Sequence, residues 1–180
     1  MIVTLVRHCE VIEEYQGKYN GHMDISLSKK GKENAKILAN KLKDVHFEKV
    51  YCSDLLRAKE TLDAFSLTQE IIYTPALREK SWGKHEGKSF LEIEAQGIHY
   101  HNFSQWIEAL DGEKIDVYTQ KIKSFFYGTV FKNSEDTILV VTHAGVIKTL
   151  LSITKNISLE KAFSIHLPYS SFLSIDTHYM

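Results

Sequence analysis

The chain has 180 residues, 43% of them apolar and 25% charged, with a formal net charge of −1. This length fits one domain with its own core, and the charge balance gives no field that would draw nucleic acid or an acidic membrane. No apolar stretch is long enough to cross a bilayer, no export signal is visible, and two cysteines, Cys9 and Cys52, are too few for a disulfide framework and suit a reducing cytoplasm.

Ile2 to Val6 is a short apolar run, the pattern of a strand buried on both faces. It leads directly into Arg7, His8, Cys9 and Glu10. In "SKKGKENAKILANKLKDV", Ala35, Leu38, Leu42 and Val45 recur every three or four residues, which predicts an amphipathic helix. Lys29, Lys30 and Lys32 read as its solvated start rather than as a nucleic-acid patch. "KVYC" (49–52) reads as a second strand. "SDLLRAKETLDAF" carries Leu55, Ala58, Leu62 and Phe65 on one stripe, with Ser53 or Asp54 as the cap of a second helix. "EIIYT" (70–74) is a third strand.

From Gly87 to Glu135 the strand signal vanishes. Ser89 and Glu92 form a capping box that opens a short helix. Phe103, Trp106, Ile107 and Leu110 mark one further helical stripe, and Ile115, Tyr118, Ile122, Phe125 and Phe126 another. "DTILVVT" (136–142) is the strongest strand signal, and "AGVIKTLLSIT" follows as a helix. "AFSIHL" and "SFLSID" read as two closing strands around Pro168. Alternating strands and helices predict a largely parallel sheet covered on both faces. No linker or repeat divides the chain, so residues 1–180 read as a single domain, with 88–112 as a short helical insertion over the site.

Ligands bind beyond the carboxyl ends of such strands, and the reactive residues fall there. Arg7 and His8 follow the first strand; Ser53, Asp54 and Arg57 follow the second. Glu79 lies just past the third, and His143 follows "TILVVT". Two guanidiniums and helix N-termini suit a phosphate. An imidazole kept neutral by nearby cations is a nucleophile toward phosphorus. A carboxyl group can protonate a leaving alkoxide. Phosphoryl transfer needs mainly positioning and charge stabilisation, so the expectation is no metal and no cofactor.

Other chemistries fit less well. A thiol phosphatase needs five spacers between cysteine and arginine, whereas Cys52 and Arg57 have four. His99-Tyr100-His101 and His8-Cys9 lack a four-ligand zinc set, and no Gly-rich phosphate loop is present. His46, His99, His101, His166 and His178 read as structural or surface residues, and His22 and His85 as lining the pocket mouth.

The motifs together resemble the histidine phosphatase superfamily, also called phosphoglycerate mutase-like. "LVRHCE" is similar to its Arg-His-Gly-Glu signature, and "CSDLLRAKET" to its Ser-x-Leu-x-Arg-Ala-x-x-Thr segment. "LREKSWGKHEG" and "VVTHAGVIK" resemble its glutamate and second-histidine motifs, and "YNGHMDISLSKKG" its loop after the nucleophile. The resemblance implies a three-layer α/β/α sandwich whose mostly parallel mixed sheet has one antiparallel strand. It implies His8 as nucleophile, Glu79 as proton donor, and Arg7, Arg57 and His143 around the phosphoryl group, with Gly21 and His22 also binding substrate. Two positions depart from the pattern: Cys9 replaces a glycine, and Glu14 replaces an asparagine that touches phosphate.

Length and "GKYNGHMD" look most like the small bacterial phosphatases, alpha-ribazole phosphatases of the cobalamin pathway among them. Trp82, Tyr100, Phe103 and Trp106 offer aromatic surface for a base-bearing substrate. The expected activity is a metal-independent phosphomonoesterase acting through a phosphohistidine, with a small-molecule phosphate ester as the partner. A mutase-type phosphoryl transferase and a weakly catalytic phospho-ligand-binding regulator are the alternatives. The oligomeric state is not readable.

Overall fold

The computed structural model describes residues 1–98 and 100–179; the reading of His99 falls outside them. Five strands form one sheet in the order β3-β2-β4-β1-β5. These are β1 (Ile2–Arg7), β2 (Lys49–Ser53), β3 (Ile71–Thr74), β4 (Thr137–Thr142) and β5 (Phe172–Asp176). β1 pairs parallel with β4, and β2 pairs parallel with both β4 and β3. β5 runs antiparallel along β1, as the resemblance implied.

The two faces follow from the side-chain alternation of the strands. Ile138 and Val140 of β4, with Val3 and Leu5 of β1, meet Tyr118, Ile122 and Phe126 of α5 (Ile115–Gly128) and Ile147 and Leu150 of α6 (Ala144–Thr154). Leu139, Val141, Val50 and Cys52 face the other way, onto Ala35 and Leu38 of α1 (Lys29–Lys41) and Ala58 and Leu62 of α2 (Leu56–Leu62). α3 (Phe90–Glu94) and α4 (Phe103–Ala109) lie in the expected insertion and pack a small separate cluster around Trp82, Ile93 and Trp106. The Ser89–Glu92 capping box is formed. Among the described residues no helix is long and apolar enough to cross a membrane.

Three local expectations are corrected. α1 ends at Lys41, so Val45 leaves the stripe and is exposed. α2 has Leu55 at its N-cap and no cap from Ser53 or Asp54. Instead Asp24 Oδ1 accepts the Leu56 N–H at 2.6 Å, while Asp54 is held by both nitrogens of the Arg78 fork at 2.7 Å. "AFSIHL" is not a strand: α7 (Leu159–Phe163) is capped by Ser158, and the chain then turns toward Pro168. The apolar alternation resembled a strand, but the Ser158 cap was the better signal.

Candidate active site

The register of β1 on β4 sets the site. Arg7 lies opposite Thr142, so His8 and His143 leave neighbouring parallel strands side by side. The His8 N–H donates to the Thr142 carbonyl at 2.9 Å, and the two imidazole centroids are 5.1 Å apart. On the other side of β4, Cys52 lies opposite Val141. This brings the Ser53 hydroxyl to 2.8 Å from His143 Nε2.

The surroundings of His8 fix its proton. Nδ1 is 2.8 Å from the Cys9 carbonyl oxygen. A carbonyl only accepts, so Nδ1 carries the hydrogen and Nε2 keeps a free lone pair. Burial, then Arg57 and Arg7, push His8 well below the usual histidine range, against a smaller opposing effect of the Cys9 carbonyl. Burial, then Arg57 and His8, do the same to His143. Both rings are neutral at pH 7.

Cys9, in place of a glycine, is packed in the core beside Val6, Leu27 and Ala58. Its N–H donates to Thr61 Oγ1 at 2.8 Å, and Thr61 Oγ1 donates to the Arg57 carbonyl at 2.7 Å. The threonine of "RAKET" thus ties the backbone after His8 to α2, a role the sequence did not reveal. Burial pushes the Cys52 thiol far up, which makes it a poor nucleophile.

Arg57 sits in the first turn of α2, 2% exposed. Its fork donates to the Met23 and Gly21 carbonyls, each at 2.7 Å. A buried cation at a helix start is opposed by the helix dipole, and an anion beside it relieves that cost. Gly21 has φ +47°, and a β-carbon there would stand 2.3 Å from Glu86 Oε1. That oxygen also accepts the His22 and Trp82 N–H groups at 3.0 and 3.1 Å, which joins the two loops. Arg7 donates to the Leu167 carbonyl and lies 4.0 Å over the Tyr169 ring.

Glu79 accepts three hydrogen bonds, each at 3.0 Å. Lys80 N–H and the Tyr118 hydroxyl donate to Oε1, and the Gly145 N–H at the start of α6 donates to Oε2. A carboxyl oxygen has two lone pairs, so Oε1 is saturated and Oε2 keeps one free. Gly145 permits this contact: a β-carbon there would lie 1.9 Å from Oε1.

These groups surround a pocket of 150 Å³ walled by Arg7, His8, Gly21, Arg57 and Glu79. His143 lies fully buried against His8, off the pocket wall, and its Nδ1 has no protein partner. His22 and His85 are also off the wall. Lys18, Asn20 and Tyr169, none of them anticipated, complete it with Tyr19 and Trp82. Glu14 is exposed and outside the pocket; the amide on the wall is Asn20, held by its Nδ2 donating to the Tyr15 carbonyl at 2.8 Å. The arrangement offers a neutral nucleophile, buried positive charge and one carboxyl oxygen with a free lone pair. Among the described residues, no group of three or more His, Cys, Asp or Glu is placed to hold a metal ion.

A profile of the Histidine phosphatase superfamily (branch 1) matches residues 3–179. The chain is 30% identical over 162 residues to the adenosylcobalamin/alpha-ribazole phosphatase of Escherichia coli K12, covering 84% of this chain and 78% of that protein. It is also 30% identical over 169 residues to a metal-independent phosphoserine phosphatase of Arabidopsis thaliana, covering 88% and 71%. The crystal structure of the alpha-ribazole phosphatase from Shigella flexneri superposes with a TM-score of 0.85 at 26% identity, covering 98% of this chain and 90% of that one.

Proposed function

Because the chain belongs to the histidine phosphatase superfamily, we propose that it is a metal-independent phosphomonoesterase working through a phosphohistidine on a small-molecule phosphate. Alpha-ribazole 5'-phosphate is the named candidate, suggested by relatives that carry that name. The observation that carries the reading is His8: its proton is held on Nδ1, and it shares a 150 Å³ pocket with two arginines.

In the proposed cycle His8 Nε2 attacks phosphorus, and the bond to the leaving alcohol oxygen breaks in line. Arg7 and Arg57 bind the phosphoryl oxygens. With the Ser53 hydroxyl as donor to His143 Nε2, the His143 Nδ1–H is left as a donor, buried beside His8 just behind the wall, toward a phosphoryl oxygen seated on His8. Glu79 Oε2 gives its proton to the departing alkoxide, then takes one from the water that cleaves the phosphohistidine. Gly21 and His22 belong to the substrate-binding loop, which the His22 N–H ties to Glu86. The two buried free thiols suit the cytoplasm, and the insertion read at 88–112 belongs to the same domain, its Phe103, Trp106 and Ile107 lining a groove beside the pocket.

The test is an assay on phosphomonoesters. Turnover is expected to survive EDTA, since guanidiniums supply the positive charge, and to be inhibited by vanadate. Burial and the Arg57 and Arg7 charges hold His8 well below the ordinary histidine range, so its imidazole stays neutral and kcat/KM should not fall as pH drops through the ordinary value of 6.5. Loss of activity in EDTA that added metal restores would overturn the reading. So would isomerisation of 3-phosphoglycerate, primed by its bisphosphate, that outpaces phosphate release.

A further inference from the structure

Resting on the phosphatase reading, we infer that Tyr169 is a positioning residue of the reaction: its ring face holds the Arg7 guanidinium at the phosphate pocket without cancelling its charge, and the same ring packs beside the His8 imidazole. The guanidinium carbon of Arg7 lies 4.0 Å from the Tyr169 ring centre. The Tyr169 and His8 ring centroids are 5.4 Å apart, tilted by 50°. All three side chains line the 150 Å³ pocket. One aromatic ring therefore touches both the cation and the nucleophile.

Arg7 needs such a holder. Among the described residues it forms no ion pair with a carboxylate, and its buried Nε has no hydrogen-bond partner. Its side chain donates to the Leu167 carbonyl. An arginine carries five N–H donors on a long, flexible stem, so one carbonyl does not fix the fork. A carboxylate would fix it, but would also neutralise the charge that a phosphate requires. The negative face of an aromatic ring attracts a guanidinium through its quadrupole. It carries no net charge, so the attraction for phosphoryl oxygens stays intact.

The chain places the ring by an uncommon turn. Tyr169 and Ser170 form a turn between α7 and β5. The Ser171 carbonyl accepts the Arg7 N–H at 2.9 Å, and the Ser170 N–H donates to the His8 carbonyl at 3.4 Å. The turn is thus tied to the backbone of both residues that its tyrosine touches. The Ser171 hydroxyl donates to the Pro168 carbonyl at 2.6 Å and closes it. Ser170 has φ +59°, in the left-handed region that residues other than glycine seldom enter. Such conformations persist where the surroundings over-determine them, and they cluster at functional sites.

The experiment measures orthovanadate affinity by isothermal titration calorimetry, and kcat/KM on p-nitrophenyl phosphate, in wild type, Tyr169→Phe and Tyr169→Leu. Circular dichroism checks that each is folded. Tyr169→Phe keeps the ring face and is expected to stay within about threefold of wild type in both measurements. Tyr169→Leu keeps apolar bulk without the face and is expected to lose about tenfold in both. Rescue by phenylalanine separates the ring face from the hydroxyl and from simple filling of space. Tyr169→Leu equal to wild type, or Tyr169→Phe as impaired as Tyr169→Leu, overturns the inference. If Tyr169→Leu fails to fold, Tyr169→Met takes its place, and a tenfold loss in Tyr169→Phe alone still overturns it. Wild-type protein that binds vanadate but hydrolyses no ester defeats the phosphatase reading, while the vanadate affinities of the variants still decide the role of the ring. Folded wild-type protein that neither binds vanadate nor turns over defeats both.

Discussion

Replacing His8 by alanine is expected to lower kcat/KM on every phosphomonoester by about 10³-fold or more. Among the described residues, only His8 combines a lone pair held free at Nε2 with a place on the pocket wall. His143 cannot take over. It is off the wall, and its Nε2 is engaged with Ser53 at 2.8 Å. The arginines would remain, so the variant should still bind vanadate or phosphate while losing turnover. Steady-state hydrolysis of p-nitrophenyl phosphate, with circular dichroism to show a folded protein, checks this. Activity within tenfold of wild type would remove His8 from the reaction.

Glu79→Gln is expected to cost about 10²- to 10³-fold on alkyl esters, whose alkoxides need a proton, and far less on p-nitrophenyl phosphate. The amide brings a second effect. All three neighbours of the carboxyl group donate: Lys80 N–H, Tyr118 O–H and Gly145 N–H. A glutamine must set its NH₂ against at least one of them, so its side chain will shift. Displacement alone would slow good and poor leaving groups equally; loss of the proton would not. Equal losses on both esters would therefore refute the acid role and leave Glu79 as a positioning group.

The parts of the site that lie at strand ends were readable from sequence. An apolar run that stops at Arg7-His8, and another that stops at His143, place polar groups at the carboxyl edge of a parallel sheet. Parallel register then brings them together, Arg7 opposite Thr142. The stripe of α5 was also legible, because burial against one sheet face imposes a local period.

The unread parts depend on contacts between distant segments. Asp24 caps α2 across 32 residues, a bond no local pattern encodes. Thr61 looked like one more residue of a helix, but it joins the Cys9 backbone to α2. Tyr169 was hidden in a segment whose alternation of Phe163, Ile165 and Leu167 reads as strand. There Lys148 Nζ reaches the Phe163 carbonyl at 2.8 Å, and Arg7 takes the Leu167 carbonyl. These bonds satisfy carbonyls that a strand would have paired within the sheet. Position 14 brings no amide to the pocket; Asn20 reaches the wall instead, on a loop whose path is set by Glu86 in another segment.

The most direct measurement is to mix enzyme with phosphosubstrate, quench in alkaline denaturant during turnover, and map the modified peptide by mass spectrometry. One phosphoryl group is expected on the His8 peptide, attached through Nε2, stable to alkali and released by acid. Turnover that continues with the label on His143, Ser53 or Cys52, or with no trappable label on the protein, would contradict the account.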